Sequence, residues 1–499
     1  VERRTVLGRL HDLDVELFER VAAARLRGAH PVLPRLGRAA DHGLLWLTCA
    51  AVLGLSANRS ARRAALRGVG SLALASAVTN VAAKSLAGRR RPPADPVPHV
   101  RRLRRAPVTT SFPSGHSASA VAFATAAALE SPQLGALLAP VAAGVAASRV
   151  YTGAHYPGDV LAGAALGAAL AALTCRWWPL RSDRAAGPAV PDPTAPALPV
   201  GAGLIVVVNP HAGGALHVAE RIRALLPGAG IRVCAPDGDL DGLLDQAAGE
   251  AAQQGGALGV AGGNGTVGAA AACAVRVGVP LAVFPCGTLN HFATDLGLVD
   301  LRATADAVEA GQAHAVDLGR VRSAAAKHYF LNTFVIGAYP ELVRIRKPLE
   351  KTVGKWPALA AGMLLVAARG ETFEVTIDGQ RRRLWLLFVG NGRYEPRGFA
   401  PTYRSDLGDG LLDIRTVDGR HPFARTRLAA AFLTGTLSSS PVYRASTVRR
   451  LQLADVQGTA YFSLDGEVAH VAGALELDKA RGTLTVYRPS VAPGQRVRE

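Results

Sequence analysis

The stretch PLRSDRAAGPAVPDPTAPALPVGAG, residues 179–203, divides the chain into two halves with incompatible patterns. Its density of proline, alanine and glycine builds neither helix nor strand, so it reads as an extended linker. Upstream, apolar runs rich in alanine, leucine and glycine cover 43–57, 68–87, 114–129, 133–148 and 159–178. Several are shorter than the roughly 20 residues that cross a bilayer upright, and alanine and glycine insert weakly, so close helix packing must help. Downstream, GLIVVVNP (203–210), ALGVAGG (257–263) and PLAVFPCGT (280–288) alternate with helical stretches over 216–226 and 240–254. That alternation predicts a parallel α/β sheet. Beyond 315 the apolar segments shorten to FEVTIDG, LWLLFVGN and GTLTVYRP, which predicts a mainly antiparallel β domain.

The expected organisation is therefore an amphipathic segment (1–35), an all-α transmembrane bundle (36–180), the linker (181–202), an α/β Rossmann-like subdomain (203–315) and an antiparallel β-sandwich subdomain (316–490). At 499 residues the chain is too long for one core. Its formal charge of +18 suits anionic lipids or phosphorylated substrates. Only 5% of residues are aromatic and no zinc-finger or RNA-recognition motif is present, which argues against nucleic acid. The five cysteines are scattered, with no C-x-x-C spacing, so neither a disulfide framework nor a zinc site is expected. Residues 1–38 are charged and amphipathic, unlike a cleavable leader. Trp177 and Trp178 suit an interfacial anchor.

Three polar clusters stand at the ends of the upstream apolar runs: Lys84 to Arg91-Pro92, PSGH from Pro113 to His116, and Ser148-Arg149 followed by His155 and Asp159. Tracing the runs as hairpins places all three on one membrane face, where ionisable groups are functional candidates. Lys84, Arg91 and Arg149 are cations able to hold a phosphate dianion. Ser114 and the backbone N–H groups that open its helix add donors. His155 can attack phosphorus if Asp159, one turn on, fixes its tautomer; His116 is placed to protonate the leaving alkoxide. Such a set hydrolyses phosphate esters through a phosphohistidine and needs no metal. In order and spacing the clusters resemble the K-x6-RP, PSGH and SR-x5-H-x3-D pattern of the type 2 phosphatidic acid phosphatase (PAP2) superfamily. The resemblance implies that Lys84, Arg91, Ser114, Gly115, Arg149 and His155 contact phosphate, with His155 as nucleophile.

Beyond the linker, NPHAGG (209–214), GGNGTVGAAA (262–271) and PCGTLNHFA (285–293) each follow an apolar strand and precede a helix. Glycine there lets backbone amides approach phosphate oxygens, and Thr288 and Asn290 add side-chain contacts. With VGNGRYE, YRSDLGDGLLDI and SLDGE, these loops resemble the diacylglycerol kinase catalytic domain family. The resemblance implies a nucleotide site of Asn209, Gly262, Gly263, Asn264, Gly265, Thr266, Gly287, Thr288 and Asn290, with ATP and Mg²⁺ and a lipid hydroxyl as acceptor. It also implies Asp465 as the base, Glu467 close by and Asp409 in a magnesium site. Asp465-Gly466 can equally be only a hairpin turn. The family's GGDGT loop reads GGNGT here: Asn264 keeps the shape but loses the charge, and Gly268 stands where asparagine is common. A slowed kinase is expected, with a lipid- or nucleotide-binding pseudokinase as the alternative.

These readings together predict a multi-pass cell-membrane protein acting on membrane lipids, lipid phosphates and anionic headgroups. Four arginines in 58–68 place that loop and the kinase half in the cytoplasm by the positive-inside rule, and the phosphatase pocket outside. Seven arginines in 88–110 oppose that topology. A vanadate-dependent haloperoxidase shares the anion cradle and histidine and is the lesser alternative.

Overall fold

The computed structural model describes residues 6–24, 28–56, 59–83, 88–93, 95–102, 109–180, 186–187, 190–192, 194–209, 215–235, 238–287, 290–324, 326–395, 403–458, 461–470 and 473–489. The chain forms two compact units divided at residue 181.

The first unit is helical: α1 (Val6–Ala23), α2 (Ala29–Ala39), α3 (Leu44–Leu55), α4 (Arg59–Ala77, continued by a π-turn to Ala83), α5 (Gly115–Glu130), α6 (Pro132–Tyr151) and α7 (Pro157–Thr174). Segments Ser60–Val81, Pro132–Tyr151 and Pro157–Thr174 are long and apolar enough to cross a membrane. Leu66, Leu137 and Leu161, each more than 60% exposed, give these helices an apolar outer surface suited to lipid. The abundance of glycine has a local cause. A Cβ at Gly163 or Gly167 of α7 would stand 2.3 or 2.2 Å from the backbone oxygens of Ser114 and Ala118. Only glycine permits that approach, which presses the PSGH helix directly onto the helix that carries Asp159.

Two expectations are corrected in this unit. Within the segment expected at 1–35, helix α1 packs into the bundle: its Phe18 and Ala22 share a core with Val150, Tyr156 and Val160. The basic stretch 58–68 is not a loop, since α4 already begins at Arg59. Arg67 is buried and bonds Glu130 at 2.7 Å, Trp178 O at 2.6 Å and Thr174 Oγ1 at 3.1 Å; Arg63 reaches Glu130 at 2.8 Å. Two of the four arginines thus share the Glu130 carboxylate within the bundle and lose force as a topological signal. Arg101, one of the arginines of 88–110, has a structural duty too: it bonds Ala22 O and Ala24 O and covers the Tyr151 ring at 4.3 Å. Glu130→Gln leaves buried Arg67 unpaired and is expected to destabilise the bundle by about 3–5 kcal/mol, read as a fall in melting temperature in detergent.

The second unit opens with β1 (Val190–Pro191), which pairs with His314 and Ala315, while Ala195 and Leu198 enter a buried cluster. The supposed linker is therefore docked from Ala186 onward, because its alanines and leucine find apolar cover. Next come β2 (Leu204–Val208), α8 (Ala215–Leu225), β3 (Gly230–Val233), α9 (Leu240–Gln253), β4 (Ala257–Gly262), α10 (Asn264–Val277) and β5 (Leu281–Pro285). The strands are parallel in the order β3-β2-β4-β5. β2 and β4 are buried along their whole length, with an apolar cluster on each face.

Short helices α11 (His291–Asp295) and α12 (Leu301–Glu309) lead into β6 (Ala313–Arg322), β7 (Lys327–Phe330) and β8 (Thr333–Gly337), then α13 (Ala338–Val353) and α14 (Lys355–Arg369). The remainder is β9 (Phe373–Ile377), β10 (Gln380–Asn391), β11 (Tyr394–Glu395), β12 (Tyr403–Arg404), β13 (Leu412–Asp418), α15 (Ala424–Thr434), β14 (Tyr443–Val448), β15 (Arg450–Gln457), β16 (Tyr461–Leu464), β17 (Glu467–His470) and β18 (Leu475–Tyr487). Apart from β11 and β12, these join one sheet, antiparallel except where β18 meets β5. β6 runs across the expected boundary at residue 315, and β18 pairs with β5, β6 and β15, so the two subdomains share continuous strands.

Candidate active sites

In the helical unit, the C-terminal end of α6 and the N-terminal ends of α5 and α7 meet. Ser114 caps α5, and its own N–H donates to Asp159 O at 2.9 Å. The chain leaving α6 folds back so that the His155 N–H donates to Arg149 O at 3.2 Å. Arg91 donates to Ala154 O at 2.7 Å and to Thr109 O at 2.9 Å, and its guanidinium lies 3.3 Å from His155 Nε2. A guanidinium can only donate, so Nε2 holds a lone pair and the proton sits on Nδ1. Nδ1 faces Asp159 Oδ2 at 3.6 Å, an ion-pair distance too long for a hydrogen bond. Burial holds the His155 imidazole below its ordinary range; Asp159 opposes this, and Arg91 and Arg149 add to it.

Asp159 is fully buried and committed to other partners: Ser111 Oγ, the Tyr156 N–H at 3.0 Å and Arg89 at 2.8 Å. It anchors the start of α7 as well as facing His155. Arg149 is 4% exposed and its Nε has no hydrogen-bond partner among the described residues, an orphan donor that an anion would satisfy. His116 Nε2 bonds Asp41 Oδ1 at 2.8 Å. The structure therefore brings Arg91, Ser114, Gly115, His116, Arg149, His155 and Asp159 to one place; Lys84 lies outside the described residues. Sequence reading missed Asp41, an isolated acid at the α2–α3 break. It also passed over Arg89, two residues before Arg91, which ties Asp159 to Asp14 of α1 at 2.7 Å.

In the second unit, the three glycine loops converge at the C-terminal edge of the parallel strands. Asn209 Nδ2 donates to Thr266 Oγ1 at 2.8 Å, and the His291 N–H to Asn264 Oδ1 at 3.3 Å. A Cβ on Gly287 would stand 2.9 Å from Gly263 Cα and 2.8 Å from Asn290 Oδ1. Thr288 and residues 210–214 lie outside the described residues. Asp465 and Gly466 form the two-residue turn between β16 and β17, with φ of 49° and 95°. The turn also aims chemistry: Asp465 Oδ1 accepts from the N–H groups of Asn332 and Thr333 at 2.7 and 2.9 Å, and Oδ2 from that of Leu331 at 2.7 Å. Burial holds this carboxyl above the usual carboxylate range, against the pull of those N–H groups and of Arg404. Positions that a Cβ would take on Gly268 and Gly265 lie 3.1 Å from Asp465 Oδ2 and 3.1 Å from Glu467 Oε1. The hairpin thus sits over the first turn of α10, and the bareness of Gly268 leaves Oδ2 uncovered.

Asp409 does not fit a magnesium ion. Its oxygens accept from the N–H groups of Leu411 and Arg393, each at 2.9 Å, and Lys479 Nζ stands 3.6 Å from Oδ1. No group of three His, Cys, Asp or Glu side chains able to hold a metal occurs among the described residues. The expected metal position is corrected on its partners: a buried ammonium, bonded to Asn391 Oδ1 at 2.6 Å, stands 3.6 Å from both Asp409 and Asp317 and is shared between them. From there a chain leads back to the base, since Asn391 Nδ2 donates to Leu331 O and Arg404 holds both Leu331 O and Asp295.

Residues 64–183 match the PAP2 superfamily, and residues 203–321 match the diacylglycerol kinase catalytic domain. The chain joins one domain of each family. Over 186 residues, 35% of this chain, it is 29% identical to a diacylglycerol kinase of Mycobacterium tuberculosis, of which it spans 58%. Over 64 residues, 13% of this chain, it is 47% identical to a lipid A 1-phosphatase of Rhizobium johnstonii, of which it spans 26%. A crystal structure of a diacylglycerol kinase from Bacillus anthracis is 20% identical, covers 57% of this chain and 96% of that one, and gives a TM-score of 0.40. The PAP2 match contains the two histidines and Asp159 but not Asp41, and the kinase match ends in β6, before Asp465.

Proposed function

We propose that this chain is a bifunctional membrane lipid enzyme. Its PAP2 domain hydrolyses lipid phosphates without a metal, and its kinase domain phosphorylates a lipid hydroxyl with ATP, taken up with its own magnesium. The observation that carries the phosphatase reading is the neutral, Nε2-basic His155 between Arg91 and the orphan donor of Arg149. Attack by Nε2 on phosphorus breaks the ester P–O bond; His116, its Nε2–H held by Asp41, takes up a second proton along with the bound dianion and gives the Nδ1 proton to the departing alkoxide. Water then cleaves the phosphohistidine to inorganic phosphate. In the kinase domain Asp465 takes the proton of the lipid hydroxyl as that oxygen attacks the γ-phosphorus, and ADP leaves. ATP supply places this unit in the cytoplasm and the phosphatase pocket on the outer face.

Asn264 and the ammonium-filled Asp409 position favour a second reading, in which the kinase domain binds nucleotide or lipid and regulates the phosphatase. Two assays on the purified full chain test the whole. Radiolabelled phosphate from a lipid phosphate should be trapped on His155, and ATP-dependent lipid phosphorylation should rise in Asn264→Asp. Failure to trap phosphate sinks the phosphatase mechanism; no phosphorylation by either protein leaves only the regulatory reading.

Asp41 is a positioning residue for the acid. Asp41→Asn is expected to lower hydrolysis of an alkyl lipid phosphate about 10–100-fold in kcat, part of the roughly 10²–10⁴ that a positioned acid supplies. Asp41→Glu should recover part of the loss. With p-nitrophenyl phosphate, whose leaving group needs no proton, the variant should differ little from wild type; an equal loss on both substrates marks a merely structural role.

A further inference from the structure

The β-rich part of the second unit contains a cleft that neither catalytic assignment uses. Its volume is about 620 Å³, and its floor is apolar: Ile377, Ile414, Val448 and Leu451. A smaller hollow of about 230 Å³ adjoins it, and the two share Arg382, Thr416 and Arg444. Strand register shows which way those arginines face. Arg444 of β14 pairs with Thr416 of β13, two residues beyond core Ile414, and Arg382 of β10 pairs with fully buried Val375. Paired residues share a face of the sheet. Both arginines therefore stand on the core side of their strands, Arg382 half-buried and Arg444 exposed, at the edge of the apolar cluster.

The charge there is lopsided. Five arginines (Arg381, Arg382, Arg383, Arg420 and Arg444) line the two hollows, against Asp378 and Asp418. Asp378 accepts from the Gln452 N–H at 3.0 Å, Asp418 from the Arg420 N–H at 2.8 Å, and Arg381 pairs with Glu374. Arg382 bonds only the Gln380 amide oxygen, at 3.0 Å, and Arg444 has no ion pair among the described residues. Guanidinium groups in excess over the carboxylates beside them recognise phosphate, and the apolar floor beneath them suits a hydrocarbon chain.

We propose that this cleft binds a phosphate group, with Arg382 and Arg444 as its forks, Thr416 and Ser446 as further donors, and the floor receiving any attached apolar tail. The site shares no residue with the Asp465 cluster and does not depend on either catalytic activity. An inward charge on an edge strand has another known duty, blocking strand addition from a second molecule. That duty predicts self-association when the arginines are removed, and no ligand.

The test uses the full chain carrying His155→Ala, so that the probe is not hydrolysed, in detergent with a photoreactive short-chain phosphatidate. Label should appear on peptides covering 377–384 and 443–451. It should fall at least about tenfold in Arg382→Ala/Arg444→Ala, as expected for losing two charged forks. Arg427→Ala, with the same kind of charge change elsewhere, should leave it intact. Competition by dihexanoyl phosphatidate alone identifies a lipid phosphate, and equal competition by inorganic phosphate identifies the free anion; both support the site. Equal competition by dihexanoylglycerol, label unaltered in the double variant, or self-association of that variant with no label in the parent overturns it.

Discussion

Replacing His155 with alanine is expected to lower lipid-phosphate hydrolysis by a factor on the order of 10⁴ or more, the scale seen when a covalent nucleophile is deleted. ATP-dependent lipid phosphorylation by the same preparation should be unchanged, which separates a lost nucleophile from a collapsed protein. The reason lies in the local electrostatics. Burial, with Arg91 and Arg149 nearby, holds the imidazole neutral at neutral pH, so the lone pair at Nε2 is available without prior proton loss. The sign of the pH dependence follows. Because the pKa is lowered, the neutral nucleophile persists below the ordinary histidine range, so the acid limb of the profile lies below that range, while the alkaline limb of alkyl ester hydrolysis belongs to proton loss from His116. With p-nitrophenyl phosphate, whose leaving group needs no proton from His116, activity that instead rises as pH drops through that range is incompatible with attack by His155. Asp159→Asn is a different experiment: its carboxylate holds Ser111, Tyr156 and Arg89 as well, so it should cost stability along with rate.

What the sequence revealed and what it hid follow from the range of the interactions. The phosphatase cluster was legible because each part sits at the end of an apolar run, and hairpin connectivity alone carries those ends to one face. Asp41 was not, because its pairing with His116 spans 75 positions and depends on how α2 turns into α3. The start of α4 was misplaced for a related reason. Arginine in 59–67 looked like a solvated loop, yet Glu130 lies at the far end of α5 and draws Arg63 and Arg67 into the bundle. In the kinase domain the parallel strands and glycine loops follow from local periodicity and turn chemistry. The continuity of β6 and β18 across both subdomains does not, since it rests on pairing between strands more than 150 residues apart. Asp409 shows the limit of transferring a role by motif alone: the motif is present, but Lys479, 70 positions later, occupies the place of a cation.

Asp465→Asn should reduce ATP-dependent lipid phosphorylation by about 10²–10⁴-fold, the contribution of a general base. The choice of asparagine matters. At φ 49° the residue lies in the left-handed region, which asparagine tolerates and alanine resists. The amide oxygen can still accept from Asn332 and Thr333, but its NH₂ group would face the Leu331 N–H, donor against donor. Stability should therefore fall by about 1–3 kcal/mol, detectable in melting, while the hairpin survives. A carboxylate offers about four lone-pair positions, and three are taken by those backbone donors. The fourth, on Oδ2, lies 3.1 Å from where a Gly268 Cβ would stand and is the position left for the substrate proton. If Asp465→Asn melts early yet phosphorylates at the wild-type rate, Asp465 is only the corner of a hairpin, and the base must be sought elsewhere around α10.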